Sequence, residues 1–248
     1  HPVESVRTQV RDVEIHEIEG VDRNISLKKA WNLMQDGNVV TLPAVSSDGK
    51  LEGLITVGDI AKTYMNVYDS SILSKARTRY SNILETLEGS LLVGDETNYF
   101  QEGKVLVAAA NPDMMEYYIS PHDLVILGNR YESQLCAIEM EADCIIVCEG
   151  AAVSMTIRKL AQERGCTVIM TPYDAYFVAR LINQSMPIEY FMRTKGLITF
   201  QDTDCIDDIR DVQDSHCLFP SSGIGKTEEE KRRMERNYEK IETQAWGR

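Results

Sequence analysis

The sequence predicts an α/β protein in which one unit is split by a second, inserted domain. In the middle of the chain, short apolar strands alternate with amphipathic helices, a pattern typical of a layered sheet with crossover connections. A different pattern of helices and strands precedes this region, and its opening begins again after residue 186. The chain therefore contains an internal repeat whose halves are separated by the insert.

Residues 1–66 form the first unit, in which a helix, two strands and a second helix follow one another. Ser26 is a typical N-cap, and apolar residues recur at helical spacing after it. Two short apolar strands then flank a turn that contains Asp48 and Gly49, a strong hairpin signal. The second strand runs straight into a helix that Asp59 can cap.

Residues 67–88 are predicted to be a linking helix, because apolar side chains recur there every three or four positions. Residues 89–185 form the inserted domain, in which Asn111 and Asp174 are predicted helix starts and Gly165 a helix end. The predicted strands are 91–93, 105–109, 124–127, 144–147 and 167–171, and the predicted helices are 112–118, 131–139, 154–164 and 174–183.

Residues 186–226 are predicted to repeat the opening of the first unit, with a strand at 197–200 and a helix at 204–212. The repeat is incomplete, because a polar, glycine-rich stretch at 221–227 replaces the expected second strand. Its Gly-Lys-Thr resembles the end of a P-loop, but Pro220 occupies the place of the first glycine. We therefore interpret the stretch as a polar turn.

Composition and charge exclude several classes of partner. The 248 residues carry a formal net charge of −13, which argues against nucleic acid and anionic membranes as partners. No apolar run is long enough to span a bilayer. The six cysteines show no zinc-like pairing, and we expect reduced thiols and a cytoplasmic protein. Cys144 and Cys148 are predicted to be buried free thiols, and the tail at 227–248 a solvated helix or a disordered end. The sequence shows no catalytic constellation and no metal-binding spacing.

The hairpin and its Thr56-x-x-Asp59 junction resemble a CBS motif. CBS motifs pair and bind adenine nucleotides between them, so the resemblance implies an α+β CBS pair. It places the adenine at Val40, Thr41 and Pro43, and the ribose hydroxyls on Thr56 and Asp59. A carboxylate suits two vicinal hydroxyls because it only accepts hydrogen bonds. The alternative is that Asp59 only caps its helix and Thr56 only packs.

The second half of the implied nucleotide site falls in residues 186–226. The resemblance places further nucleotide contacts at Thr194, Lys195, His216, Leu218 and Pro220. Related sequences often carry an arginine and an aromatic residue before that second proline, where this chain has His216 and Leu218. They also often carry a basic residue before the first threonine, at the position of Val40 in this chain. These departures predict weaker phosphate and adenine contacts.

The insert resembles a DRTGG domain in residues 143–150, 159–176 and 180–185, with Glu149-Gly150 at the glycine pair of the signature. A CBS pair split by a DRTGG domain is similar to the regulatory insert of CBS-containing family II inorganic pyrophosphatases. The resemblance implies inhibition by AMP and ADP, activation by ATP or diadenosine polyphosphates, and a homodimer. It also implies separate catalytic domains, which would hold the metal ions, and no cofactor in this region.

Three hypotheses follow for the function. The first is a non-catalytic adenine-nucleotide sensor that controls a pyrophosphatase, which the Thr56-x-x-Asp59 junction favours. The second is a structural homodimerisation module whose nucleotide site has decayed, which Val40, His216 and Leu218 favour. The third, an enzyme of the α/β domain itself, lacks a reactive cluster to support it.

Overall fold

The computed structural model describes residues 8–13, 17–66 and 68–209 of the chain. It divides into two compact units. The larger is Ile18–Leu197, and the smaller joins the two ends of the chain, His1–Glu17 and Ile198–Arg248. In the described part of the smaller unit, residues 8–13 and 17 thus belong with residues 198–209, and the larger unit lies between them in the sequence.

In the smaller unit, a segment near the N-terminus pairs with a segment beyond residue 200. Gln9 and Cys205 form an antiparallel bridge, next to a short 3-10 helix at Val10–Asp12. Of the helix predicted at 204–212, residues 206–209 are helical, residues 204 and 205 precede the helix, and residues 210–212 lie outside the described residues. The strand predicted at 197–200 is wrong: these residues form no strand, because no backbone ladder partner lies beside them in the described part of the chain.

The larger unit begins with the predicted helix, hairpin and helix. Leucine, alanine and methionine side chains of α1 and alternate residues of the two strands are buried together, which explains the periodicity of the sequence. The strands are antiparallel, and Thr41 lies opposite Thr56 in their register. The bounds are α1 (Leu27–Asp36), β1 (Thr41–Val45), β2 (Leu51–Thr56) and α2 (Val57–Met65).

The linking helix predicted at 67–88 is wrong as a single helix. Arg77 has a left-handed φ of 51°, and the hydroxyl of Thr78 donates to the carbonyl of Leu73 at 2.8 Å, which ends the first helix. A short strand that pairs with Tyr99 and its neighbour then separates two helices. The apolar residues recur at helical spacing because the short helices before and after this break both bury apolar side chains. The bounds are α3 (Ile72–Lys75), β3 (Thr78–Arg79) and α4 (Tyr80–Thr86).

The inserted domain is the predicted α/β layer structure. The strands of its five-stranded sheet lie in the order β4 (Ser90–Val93), β9 (Thr167–Met170), β8 (Cys144–Val147), β7 (Leu124–Leu127) and β6 (Val105–Val107). Three neighbouring pairs are parallel, and β4 is an antiparallel strand at the edge. β7 and β8 are buried on both faces, because one apolar cluster packs on each side of the sheet. The bounds are β4 (Ser90–Val93), β5 (Tyr99–Phe100), β6 (Val105–Val107), α5 (Pro112–Met115), β7 (Leu124–Leu127), α6 (Tyr131–Glu139), β8 (Cys144–Val147), α7 (Met155–Arg164), β9 (Thr167–Met170) and α8 (Ala175–Leu181).

The helix ends and thiols of this domain follow the sequence predictions. The side chains of Asn111 and Asp174 cap α5 and α8, and Gly165 ends α7 with a left-handed φ of 72°. Cys144 and Cys148 are buried free thiols. Burial raises the pKa of the Cys148 thiol to about 11, so it stays protonated near neutral pH.

Two glycines with the same φ allow a test of packing in this fold. Gly103 and Gly49 both have a φ of 79°, but a Cβ on Gly103 would lie 2.2 Å from the carbonyl oxygen of His122, whereas one on Gly49 would meet nothing within 4 Å. We expect Gly49→Ala to lower the free energy of unfolding by about 1–2 kcal/mol, the cost of the left-handed backbone. Gly103→Ala should cost a further 1–3 kcal/mol or so because the backbone must shift. Urea denaturation measures both, and equal losses would contradict the clash.

Candidate nucleotide site

The junction of β2 and α2 holds the side chain of Asp59 in place. The Thr56 hydroxyl donates to Asp59 Oδ2 at 2.7 Å, and the Thr56 amide donates to the same oxygen at 3.1 Å. In return, Thr56 Oγ1 accepts from the Asp59 amide at 3.1 Å. This is a capping box in which Thr56 is the N-cap and Asp59 is at position N3. Asp59 thus takes part in capping the helix, as predicted, but it does so from position N3, with Thr56 as the N-cap.

The second oxygen of Asp59 faces two cations. Arg193 Nη2 donates to Oδ1 at 3.3 Å, and Lys62 Nζ lies 4.0 Å from the same oxygen. The Asp59 side chain is only 10% exposed. Because a withdrawn carboxylate needs compensating charge, the two cations offset the cost of burying Asp59 at this end of the hairpin.

Arg193 reaches Asp59 because its backbone pairs with the hairpin. Its amide donates to the carbonyl of Leu54 at 2.8 Å, and the Leu54 amide donates back at 3.0 Å. Gly53, the residue before Leu54, is in close contact with Met192, and a Cβ there would lie 2.6 Å from the Met192 sulfur. The segment that returns from the inserted domain thus lies along the free edge of β2.

Sequence reasoning missed Arg193 as a member of this site. It precedes the predicted contacts Thr194 and Lys195, but its partner Asp59 is 134 residues away in the chain. The signal that could have found it is a basic side chain in the segment that opens the second half. That segment has to return to the first hairpin to complete the split unit.

The residues predicted to hold adenine lie along β1, beside this junction. Thr41 is opposite Thr56, and Pro43 is opposite Leu54, two positions further along. The Val40 carbonyl accepts from the Val57 amide at 2.9 Å, and its side chain is 71% exposed. The structure therefore brings Val40 and Thr41 to the end of the hairpin where Asp59 lies.

Of the other predicted contacts, the structure describes Thr194 and Lys195. Thr194 and Lys195 are exposed and directly follow Arg193. His216, Leu218 and Pro220 lie outside the described residues, as do the polar turn at 221–227 and the tail. Their part in a nucleotide site stays a prediction.

No group of three or more histidine, cysteine, aspartate or glutamate side chains in the described ranges has the arrangement of a metal site. In the same ranges, the helices are too short or too polar to cross a membrane.

The capping box predicts a specific loss of stability when the Thr56 hydroxyl is removed. Thr56→Val keeps the shape of the side chain but deletes both hydroxyl contacts to Asp59, so we expect the free energy of unfolding to fall by about 1–2 kcal/mol. Thr63→Val is the matched control, because the Thr63 hydroxyl donates only to the Ile60 carbonyl within the same helix. Urea denaturation of both variants would contradict the capping role if Thr56→Val lost no more than Thr63→Val.

Comparison with known proteins matches two parts of the chain to domain families. Residues 10–66 match the CBS domain, and residues 82–185 match the DRTGG domain. Both are regulatory domain types, and together they contain the hairpin, the capping box and the whole five-stranded sheet.

Two curated relatives are inorganic pyrophosphatases. The chain is 36% identical over 208 residues to the cobalt-dependent inorganic pyrophosphatase of Clostridium perfringens, covering 84% of this chain and 38% of the relative. It is 24% identical over 210 residues to the probable manganese-dependent inorganic pyrophosphatase of Thermotoga maritima, covering 85% and 38%. The chain thus spans well under half the length of these relatives.

One solved structure matches this chain over nearly the full length of the solved chain. It contains the CBS and DRTGG domains of the regulatory region of Clostridium perfringens pyrophosphatase, complexed with its activator, diadenosine tetraphosphate. The TM-score is 0.79 at 35% identity, and the match covers 84% of this chain and 90% of that one. Since the sequence, the order of the domains and the fold all agree, the chain belongs to the family of CBS and DRTGG regulatory regions of inorganic pyrophosphatases.

Proposed function

We propose that the chain is a non-catalytic regulatory module that binds an adenine nucleotide at the hairpin junction. The observation that carries this proposal is the Asp59 carboxylate, which the capping box fixes and which faces Arg193 at the surface end of the hairpin. The similar Clostridium perfringens region, which binds diadenosine tetraphosphate as activator, supports the same class of ligand.

In the proposed complex, Asp59 accepts hydrogen bonds from the two ribose hydroxyls. Its Oδ2 already accepts from Thr56, so Oδ1 and the remaining lone pairs are the acceptors for the ribose. The ribose must therefore share Oδ1 with Arg193 or displace it. Adenine would lie along Val40, Thr41 and Pro43.

The phosphates of the ligand would extend towards the return segment. Thr194 and Lys195 are exposed there and offer a hydroxyl donor and a positive charge. His216, Leu218 and Pro220 would contribute the second half of the site from beyond the described residues.

The finer regulation follows from the resemblance to the pyrophosphatase family. We propose that AMP and ADP inhibit, and that ATP or diadenosine polyphosphates activate, a pyrophosphatase whose metal-binding catalytic domains are separate from this region. The module would act as a homodimer with two states. A ligand shifts such an equilibrium only by its difference in affinity for the two states, so inhibitors and activators must favour opposite ones.

One observation favours the alternative of a dimerisation module with a decayed site. Val40 presents an exposed, uncharged side chain at the position where related sequences often carry a basic one. Without that charge a phosphate loses a favourable contact, and the hairpin could serve only to hold two copies of the module together.

Replacing Asp59 by asparagine tests the proposed ribose contact. The asparagine side chain would keep an acceptor for Thr56 but lose the charge and present an amide donor to the ribose. We therefore expect isothermal titration to show micromolar binding of AMP or diadenosine tetraphosphate to the unchanged chain, and binding about tenfold or more weaker for Asp59→Asn. Asp48→Asn is the matched control, because Asp48 lies in the turn at the opposite end of the same hairpin.

The outcomes separate the two candidate functions. If neither ligand binds to the folded, unchanged chain while sedimentation shows a dimer, the dimerisation module replaces the sensor. If both aspartate variants weaken binding equally, the ribose is not at Asp59. In a protein that joins this region to its catalytic domains, AMP should lower and diadenosine tetraphosphate should raise pyrophosphate hydrolysis.

A further inference from the structure

One cavity in the larger unit is lined mainly by basic side chains, although the chain as a whole is acidic. It has a volume of about 530 Å³, and its wall carries four cationic side chains and one carboxylate, that of Glu189. The formal net charge of the chain is −13. We call it the basic cavity; its cations are Arg23, Lys75, Arg77 and Arg79.

Two of the four cations are already paired with carboxylates. Lys75 Nζ lies 2.7 Å from Asp69, whose pKa the hydrogen bond from Lys75 and those from Ser71 lower to about 2. Arg23 lies between Glu52 and Glu189, at 3.6 and 3.5 Å. These pairs offset part of the charge of Lys75 and Arg23.

Arg77 and Arg79 are bound differently. Among the described residues, neither guanidinium has a carboxylate oxygen within 4.0 Å, whereas both lie against the ring of Tyr99, at 5.5 and 5.1 Å from its centre. Arg79 Nε also donates to the Tyr99 hydroxyl at 2.8 Å. The pKa of Asp22 is lowered by hydrogen bonds from Asn24 and also by the charges of Arg79 and Arg23, so Asp22 offsets part of the Arg79 charge from a distance. An aromatic ring orients a guanidinium without neutralising its charge, so both arginines keep positive charge that can attract an anion.

The short antiparallel pair of β3 and β5 places Arg79 beside Tyr99. Arg79 lies directly opposite Tyr99, while their neighbours Thr78 and Phe100 are fully buried. Alternate residues of a strand point to opposite faces, so the buried pair anchors the two strands and Arg79 and Tyr99 share the outer face. The hydrogen bond and the ring contact leave Arg79 little side-chain freedom to lose when a ligand binds.

We infer that the basic cavity binds a small anion with two or more linked phosphate groups. Each planar guanidinium can take one phosphate through two parallel hydrogen bonds, and Arg77 and Arg79 both line the cavity and both lie against the ring of Tyr99. The cavity is also much larger than a single phosphate requires. Thr56 and Asp59 are not among its lining residues, so the inference does not rest on the proposed nucleotide site.

Titration of the chain with inorganic pyrophosphate, without divalent cations and at low ionic strength, tests this inference. We expect one binding site, weakened about tenfold or more by the double substitution Arg77→Gln and Arg79→Gln. The matched control is Lys159→Gln with Arg164→Gln, which removes the same charge from α7, outside the cavity. Tyr99→Phe keeps the ring but removes the hydroxyl that anchors Arg79, so it should weaken pyrophosphate binding about threefold. This variant tests the inference if the double variant does not fold.

Competition distinguishes this site from the proposed nucleotide site. Pyrophosphate binding should persist in Asp59→Asn and in the presence of saturating AMP. If ADP binds at two sites, one lost in Asp59→Asn and the other lost in the double arginine variant, the linked phosphates that the basic cavity binds are those of a nucleotide. The inference would be overturned if AMP displaced pyrophosphate or if the folded chain bound no pyrophosphate. It would also be overturned if the control with Lys159→Gln and Arg164→Gln lost as much pyrophosphate affinity as the double arginine variant.

Discussion

The candidate site depends on the contacts that hold the buried carboxylate of Asp59. Withdrawing an ionised carboxylate from water costs several kcal/mol unless donors and a cation surround it. Thr56 supplies the donors and joins β2 to α2, and Arg193 supplies the charge and joins the return segment to the hairpin. One side chain therefore ties together three elements, and a ligand that changes its partners would act on all of them.

The structure uses its arginines in two distinct ways. Arg193 faces a carboxylate, so part of its charge is compensated within the protein and a nucleotide must compete for the same contact. Arg77 and Arg79 lie on an aromatic ring, which fixes their direction but leaves their charge available to an anion. A net charge of −13 thus says little about which small ligands the chain can bind, because local placement decides.

Most of the α/β domain could be predicted from the sequence because its signals are local. β7 and β8 are continuous apolar runs, as expected for parallel strands buried on both faces. Gly165 ends α7 because a left-handed residue without a Cβ costs little there. The linking helix was not predicted correctly. Arg77 and Thr78 end its first part, and the short strand that follows pairs with Tyr99, a partner that lies outside residues 67–88.

The hairpin, its flanking helices and the Thr56-x-x-Asp59 junction can be read from the order of residues alone, since turn residues, caps and apolar periodicity act within a few positions. The cation that faces Asp59 and the side chains that meet around Tyr99 emerge only when the chain is folded. Arg193 is 134 residues from Asp59, and Arg79 is 20 from Tyr99. Such contacts depend on how the return segment and the short strands pack, because hydrogen bonds and charges act over distances in space and not along the chain.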